Sequence, residues 1–211
     1  FDFGLTLSKA EAEWNKMLSK IDVKDGKKGQ LTTFYTALYH SFLNPNLYMD
    51  VDGRYRGLDN KIHVAKDFEY YSVFSLWDTY RTEHPLLTLL DRKKTLDFVK
   101  TFLAMYEQAG QLPVWPLGNE ETFCMIGNHA IPVITDAYAK GITGFDTKQA
   151  LRAMMQSVNR KQFGLDTYAK FGAVMADVEH ESASKTVEYA YDDWCIAQFA
   201  RMIGAKEEYQ T

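Results

Sequence analysis

Leu31-Thr32-Thr33-Phe34-Tyr35-Thr36-Ala37-Leu38-Tyr39-His40-Ser41-Phe42 is the stretch that decides the fold class. Leu31, Phe34, Tyr35, Leu38, Tyr39 and Phe42 recur at spacings of three and four, the repeat of one face of an α-helix rather than the alternation of a strand. The stripe ends before Asn44-Pro45-Asn46, where the proline disfavours helical backbone in the residue ahead of it. Toward the N-terminus, Gly26 separates it from another helical pattern, Ala10, Trp14, Met17, Leu18 and Ile21. Ser8-Lys9-Ala10-Glu11 has the form of a capping box and predicts that helix to begin near Ser8.

Downstream the pattern changes and then returns. From Leu47 to about Tyr71, turn residues and short alternations (Met49 to Gly57, Lys61 to Val64) predict short strands or an ordered excursion. Ordering such a segment costs backbone entropy, so an excursion of this kind points to a functional reason. Helix is expected again from about Ser72 to Glu83, with Pro85 perturbing its end. Asp91 is placed to cap the next helix, whose Leu96, Val99, Leu103 and Tyr106 share a face and whose last turn precedes Gly110. Leu112-Pro113-Val114-Trp115-Pro116 reads as extended. Further helices are expected from near Asn128 to Lys140, after the capping form Asp146-Thr147-Lys148-Gln149, and from about Ser182 to Met202, closed by Gly204. Helices with no alternating strands disfavour a parallel α/β sheet. The expectation is an all-α fold, part of an (α/α) toroid with a short β excursion near residues 47–71; periodicity leaves a plain helical bundle open.

Composition bounds the function. The 211 residues suffice for one sizeable core, and 46% hydrophobic with 25% charged residues is the balance of a globular chain. A net charge of −4 offers no basic field to a phosphate backbone, so no nucleic-acid partner is expected. No stretch approaches the roughly 18 uninterrupted apolar residues of a membrane span. The opening Phe1-Asp2-Phe3-Gly4 has no Met, basic n-region or apolar h-region, and the chain is read as a piece of something longer. Cys124 and Cys195 make no disulfide framework and are read first as buried thiols. The excess of Tyr and Trp suits a pocket that stacks flat faces on a ligand and offers polar tips.

Four polar segments could carry chemistry. Asp50-Val51-Asp52-Gly53-Arg54-Tyr55-Arg56 is an ion-paired turn or a substrate rim. In Ser75-Leu76-Trp77-Asp78-Thr79-Tyr80-Arg81, helical spacing puts Ser75 and Asp78 on one face and Arg81 within reach of Asp78. An oriented carboxylate beside an indole suits a sugar, because the acid accepts two hydroxyl protons and the indole covers an apolar ring face. A helical salt bridge beside a core Trp is the alternative. Glu120 and Glu121, with His129 nearby, could bind a metal, act as acid and base, or be solvated surface. Glu188 and Asp192 are like charges four residues apart, which a helix tolerates best with a cation or buried partner beside them; Lys185 offsets part of the repulsion. Glu179-His180-Glu181 does not present a chelating face, so zinc is not expected.

Several of these segments together resemble the calcium-dependent exo-α-mannosidases of glycoside hydrolase family 92. The similarity is carried by Phe34 to His40, Asp50 to Gly57, Tyr71 to Arg81 with His84-Pro85-Leu86, Gly110 to Trp115, Cys124 to Gly127, and Glu179 to Ser182 with Tyr189 to Trp194, in the family's order. The resemblance implies a fragment of an (α/α)6 catalytic domain, residues 1–211, with an N-terminal β-sandwich and C-terminal catalytic segments outside it. It implies hydrolysis of terminal α-linked mannose from N-glycans and mannans, with inversion, a Ca²⁺ at the sugar whose ligands lie mostly outside this chain, and a periplasmic or extracellular location. The family's acid lies in a Thr-Glu-Gly-Asn segment and its base in a Gly-Asn-Asp/Glu-Asp-Cys-Gly segment; neither occurs here, so no catalytic residue is assigned and the fragment alone is expected to be inactive. Mannose-containing glycans and the remaining segments of the parent enzyme are the implied partners. For substrate binding the resemblance puts forward Trp77, Asp78 and Arg81, then Glu120, Glu121 and His129, with Glu181 and Asp193 last. Two other readings stay open: an (α/α)-barrel glycosidase with its acid and base among Asp78, Glu120 and Glu181, and a non-enzymatic helical carbohydrate-binding or interaction module.

Overall fold

The computed structural model describes residues 2–24 and 26–205. The chain divides into two compact units, Phe1–Pro45 and Asn46–Thr211. The first unit is a helical pair, α1 (Phe3–Leu18) and α2 (Lys28–His40), with the Tyr35 hydroxyl donating to the carbonyl of Ile21 in the connection (3.0 Å). Helix α1 starts earlier than the Ser8 pattern predicts. Asp2 supplies the cap, accepting the Leu5 N–H at 3.0 Å, while the Ser8 hydroxyl turns back to the carbonyl of Gly4 inside the helix. The first available cap wins, because the orphan donors of the first turn are already satisfied before Ser8 is reached.

The second unit opens with the expected β excursion. Strands β1 (Asn46–Leu47) and β4 (Tyr71–Ser72) pair antiparallel, and β2 (Arg54–Arg56) pairs with β3 (Ile62–Val64) in register Tyr55 to His63. The ion-paired-turn reading holds for Asp52 and Arg54, whose side chains meet at 2.7 Å while the Arg54 N–H also donates to Asp52. Inside the excursion Tyr55 stacks on Tyr70 with ring centroids 3.6 Å apart.

The single helix expected over 72–83 is two helices. A one-turn helix α3 (Leu76–Thr79) is followed by α4 (Glu83–Leu90), and Thr82 between them has φ −138° and ψ −50°. Pro85 does not break α4. It lies in the first turn, where a missing N–H costs nothing. Helix α5 (Arg92–Ala109) is capped by Asp91 and ended by Gly110 in the left-handed region (φ 74°), as expected. Strands β5 (Pro116–Leu117) and β6 (Glu120–Glu121) form a small hairpin ahead of α6 (Ala130–Ala139). Asp146 caps α7 (Thr147–Val158) through the N–H groups of Lys148 and Gln149. A short helix α8 (Leu165–Phe171), not anticipated, precedes α9 (Ser182–Ile203). Helix α6 packs on α9, α9 on α7, and α4, α5 and α6 pack on one another.

An aromatic core lies between α4 and α5. Phe74, Phe98 and Phe102 are fully buried and meet edge to face at centroid distances of 5.2 Å and 4.7 Å. His84 is enclosed with them, edge-on to Phe98 at 5.5 Å, and neither ring nitrogen has a hydrogen-bond partner. Burial therefore pushes its pKa down to about 3 and keeps the ring neutral. The neighbouring Glu83 has one buried, unpartnered carboxyl oxygen, and burial raises its pKa to about 7, with the Lys94 charge opposing. Cys195 is a buried thiol as read, whereas Cys124 is exposed; both are free.

Two outcomes test this core. Phe102→Ala should cost about 3–5 kcal/mol in urea unfolding, because an unyielding aromatic cluster leaves a cavity. Glu83 keeps its proton in the folded state up to about pH 7 but loses it near 4.5 when unfolded, so it withdraws stability as pH rises through that window. With exposure of part of the group discounted, the wild type should lose about 1–2 kcal/mol more than Glu83→Gln between pH 5 and pH 8.

Candidate functional site

The one-turn helix α3 carries Trp77 and Asp78. Four residues cannot sustain a helix in water, since nucleation is unfavourable and no further turns follow to compensate. Its geometry is inherited from what holds its two ends.

At the entering end, Val73 takes φ 64°, a conformation that a β-branched residue rarely adopts. The hairpin behind it fixes this kink: Val73 N–H donates to the carbonyl of Pro116 (3.1 Å) and the Ser72 hydroxyl to that of Gly118 (3.0 Å). The Ser75 hydroxyl donates to Asp78 Oδ2 at 2.5 Å and accepts the indole N–H of Trp115 at 2.9 Å. Trp115 is held in turn by Glu121, whose carboxylate accepts the backbone N–H groups of Val114, Trp115 and Phe123 at 2.8, 2.8 and 2.9 Å. A chain of hydrogen bonds thus runs from Glu121 through Trp115 and Ser75 to Asp78. Asp78 is exposed, and its orientation comes from Ser75 rather than from Arg81 as expected. Trp77 is half-buried, and its indole N–H is buried without a partner.

At the leaving end, Tyr80 and Arg81 meet Glu188 of α9. The Tyr80 hydroxyl donates to Oε2 (3.1 Å) and the Arg81 guanidinium to Oε1 (2.7 Å). His129 lies behind, 1% exposed, with Nε2 3.1 Å from Glu188 Oε2 and Nδ1 3.1 Å from Asp192 Oδ1. The Nε2 contact is close but poorly aligned for a hydrogen bond. Asp192 Oδ2 accepts the Asn128 N–H at 2.7 Å, the Tyr80 ring stacks on His129 with centroids 4.1 Å apart, and the Arg81 guanidinium covers the Tyr80 ring at 4.6 Å. Full burial raises the pKa of Asp192, with the His129 contact opposing. Burial and the Glu188 charge push the Tyr80 hydroxyl up, so it stays a donor. Gly127 (φ 84°) is required here, because a Cβ at that position would sit 2.2 Å from His129 Nε2.

The residues put forward from sequence therefore separate. Trp77, Asp78 and Arg81 share the α3 segment, and Glu121 and His129 reach it from behind through Trp115 and Glu188. Glu121 and His129 are supports, one spent on backbone donors and the other enclosed, while Glu120 is exposed on the hairpin away from these bonds. Glu181 pairs with Lys185 (3.6 Å), and Asp193 accepts the Tyr168 hydroxyl (3.0 Å). Lys185 does not offset Glu188, since its ammonium is drawn to Glu179 at 2.9 Å. Glu188 is the residue that sequence reasoning undervalues. The like charges on α9 point to a buried partner, and that partner is His129, 63 residues from Asp192. The imidazole lies between the two carboxylates rather than beside them, and among the described residues no three His, Cys, Asp or Glu side chains are placed to hold a metal ion.

The model of the glycosyl hydrolase family 92 catalytic domain matches residues 1–211. A family 92 α-mannosidase structure from Bacteroides thetaiotaomicron superposes with a TM-score of 0.95 at 41% identity, covering 100% of this chain and 29% of that one. A family 92 inverting mannosidase from the same organism gives a TM-score of 0.91 at 33% identity, covering 100% of this chain and 30% of that one. A protein of Arthroderma benhamiae described as an uncharacterized secreted glycosidase is 24% identical over 227 residues, 99% of this chain and 25% of its own length. The chain thus spans between a quarter and a third of the relatives it matches, and it belongs to the glycosyl hydrolase family 92 catalytic domain family.

Proposed function

We propose that this chain is the part of a longer exo-α-mannosidase that binds the terminal mannose, and that the complete enzyme hydrolyses α-linked mannose from glycans with inversion. The observation that carries the reading is the α3 turn, where an exposed carboxylate, Asp78, is oriented by Ser75 on the same turn that carries the half-buried Trp77. A carboxylate with one oxygen engaged keeps lone pairs for vicinal sugar hydroxyls, and an aromatic face beside it covers the apolar side of a pyranose. A structure of the Bacteroides α-mannosidase is in complex with mannoimidazole, and the second relative is an inverting mannosidase, which supports mannose as the sugar and inversion as the outcome.

Inversion needs an acid and a base about 6.5–9.5 Å apart across the sugar. In this chain Glu121 is committed to three backbone donors, Glu188 to Tyr80 and Arg81, and Asp192 to His129 and Asn128, while the exposed Glu120 and Glu181 make no bond to the α3 turn among the described residues. That leaves Asp78 as a binding group and favours an acid and base on other segments of the enzyme over a pair inside this chain. In this reading the Ca²⁺ that would coordinate sugar oxygens is held mostly by those other segments. Glycans outside the cytoplasm are the proposed substrates, in line with the secreted fungal relative. Among the described residues no helix is long and apolar enough to cross a membrane.

In the complete enzyme, Asp78→Ala should lower kcat/KM for an aryl α-mannoside by roughly 100-fold with unfolding unchanged, because the hydroxyl contacts are lost in ground and transition states alike. Wild-type kinetics in that variant would remove Asp78 from the site and the reading with it.

A further inference from the structure

Glu188 lies on α9, far along the chain from Asp78, and its carboxylate bonds to neither Trp77 nor Asp78 among the described residues. Yet its two carboxyl oxygens hold the two residues that leave α3. Tyr80 donates to one oxygen and Arg81 to the other. Both bonds are made to an anion whose side chain is 12% exposed, so they are charge-assisted, the Tyr80 bond part-buried and the Arg81 bond at the surface. The carboxylate is itself fixed from behind. His129 packs behind Oε2 at 3.1 Å without an aligned hydrogen bond, Asp192 holds the other ring nitrogen, and the Asn128 N–H holds Asp192, so the packing behind the carboxylate reaches the start of α6 as well as α9. Tyr80 is doubly constrained, by its hydroxyl and by its stacking on the His129 ring.

We infer that Glu188 is a positioning residue for sugar binding, setting the pose of the Trp77–Asp78 turn by clasping Tyr80 and Arg81 with His129 and Asp192 as its backing. The inference rests on the mannose-binding reading of Asp78. Its physical basis is that α3 is too short to hold its own shape. The Ser75–Trp115 link and the buried Leu76 side chain fix the entering end, and rotation of the turn about them would swing the Asp78 carboxylate. A displacement of about 1 Å at a sugar-binding carboxylate costs on the order of 100-fold in rate.

The test is a double-mutant cycle in the complete enzyme with an aryl α-mannoside, using Glu188→Gln and Asp78→Ala. Glu188→Gln preserves volume but leaves Tyr80 and Arg81 facing a neutral group that carries its own donor. We expect KM to rise and kcat/KM to fall roughly 10- to 100-fold at an active-enzyme concentration fixed by titration. Loss of folded enzyme alone would lower apparent kcat and leave KM where it was. In the Asp78→Ala background the same substitution should cost less than about twofold, because what it positions is gone. Tyr80→Phe, which removes one hydroxyl, should raise KM in the same direction and decides the matter if Glu188→Gln does not fold. The inference is overturned if Glu188→Gln, or failing that Tyr80→Phe, leaves KM unchanged, or if the Asp78 and Glu188 effects multiply while Asp78→Ala alone is damaging. If Asp78→Ala itself leaves KM unchanged, the mannose-binding reading fails first and the positioning role falls with it.

Discussion

Two carboxylates on successive turns of α9 grip one buried imidazole, and the second unit depends on that contact. Glu188 and Asp192 repel each other along the helix, and Asp192 is fully enclosed. An arrangement of this kind needs partners for both carboxylates. His129 stands between the two acids, Asn128 supplies a backbone donor, and Tyr80 and Arg81 close the outer side. The network ties α9 to the first turn of α6 and to the exit of α3, three places that the chain visits far apart in sequence. Removing one member would strand the others, because a buried charge without a partner is costlier than the pair was favourable.

The same constraint governs the front of the site. Glu121 has the look of a metal or catalytic ligand in sequence, being one of two adjacent acids on a loop. In the fold it substitutes for backbone pairing on both sides of the hairpin, accepting the N–H groups of Val114 and Trp115 before it and of Phe123, at positive φ, after it. The result is a fixed Trp115, and through Trp115 a fixed Ser75. Glu120, one residue earlier, alternates to the other side of the hairpin and takes no part. Adjacent acids on a strand face opposite ways, which is why reading the two as a pair from sequence misleads.

How much of the fold is legible in the amino-acid sequence follows the range of the forces involved. Helices set by local periodicity and local caps fall where the sequence predicts them, as with Asp91, Gly110 and Asp146, because their signals lie within one turn of the element they control. The Ser8 signal fails for the same local reason, since Asp2 offers a cap sooner. The break at Thr82 is not legible because nothing local demands it. The backbone leaves the helix there so that Tyr80 and Arg81 can meet Glu188 while His84 enters the aromatic core. The Ser75–Asp78 bond, three residues apart, is readable; the partners of Arg81 and His129, 107 and 59 residues away along the chain, are not. Family resemblance draws attention to these residues alike, and only the geometry divides an exposed Asp78 from a committed Glu121 and an enclosed His129.

Helix α9 shows how far this chain is built for more contact than it makes. One side is core, with Tyr189, Cys195, Ile196, Phe199 and Ala200 buried against its neighbours. The opposite side carries Val187, Tyr191 and Trp194, spaced as one helical stripe and exposed by 66%, 41% and 57%, with Tyr191 and Trp194 stacked on each other. A helix that is apolar on both sides belongs to an interior. A groove of about 580 Å³ runs beside it, lined by Met155, Leu165, Tyr168 and Ile196. Because Glu188 lies between Val187 and Tyr189 on this helix, whatever settles α9 also settles the clasp on Tyr80 and Arg81. The pose of the Trp77–Asp78 turn is therefore a property of the packed domain rather than of the α3 segment that displays it.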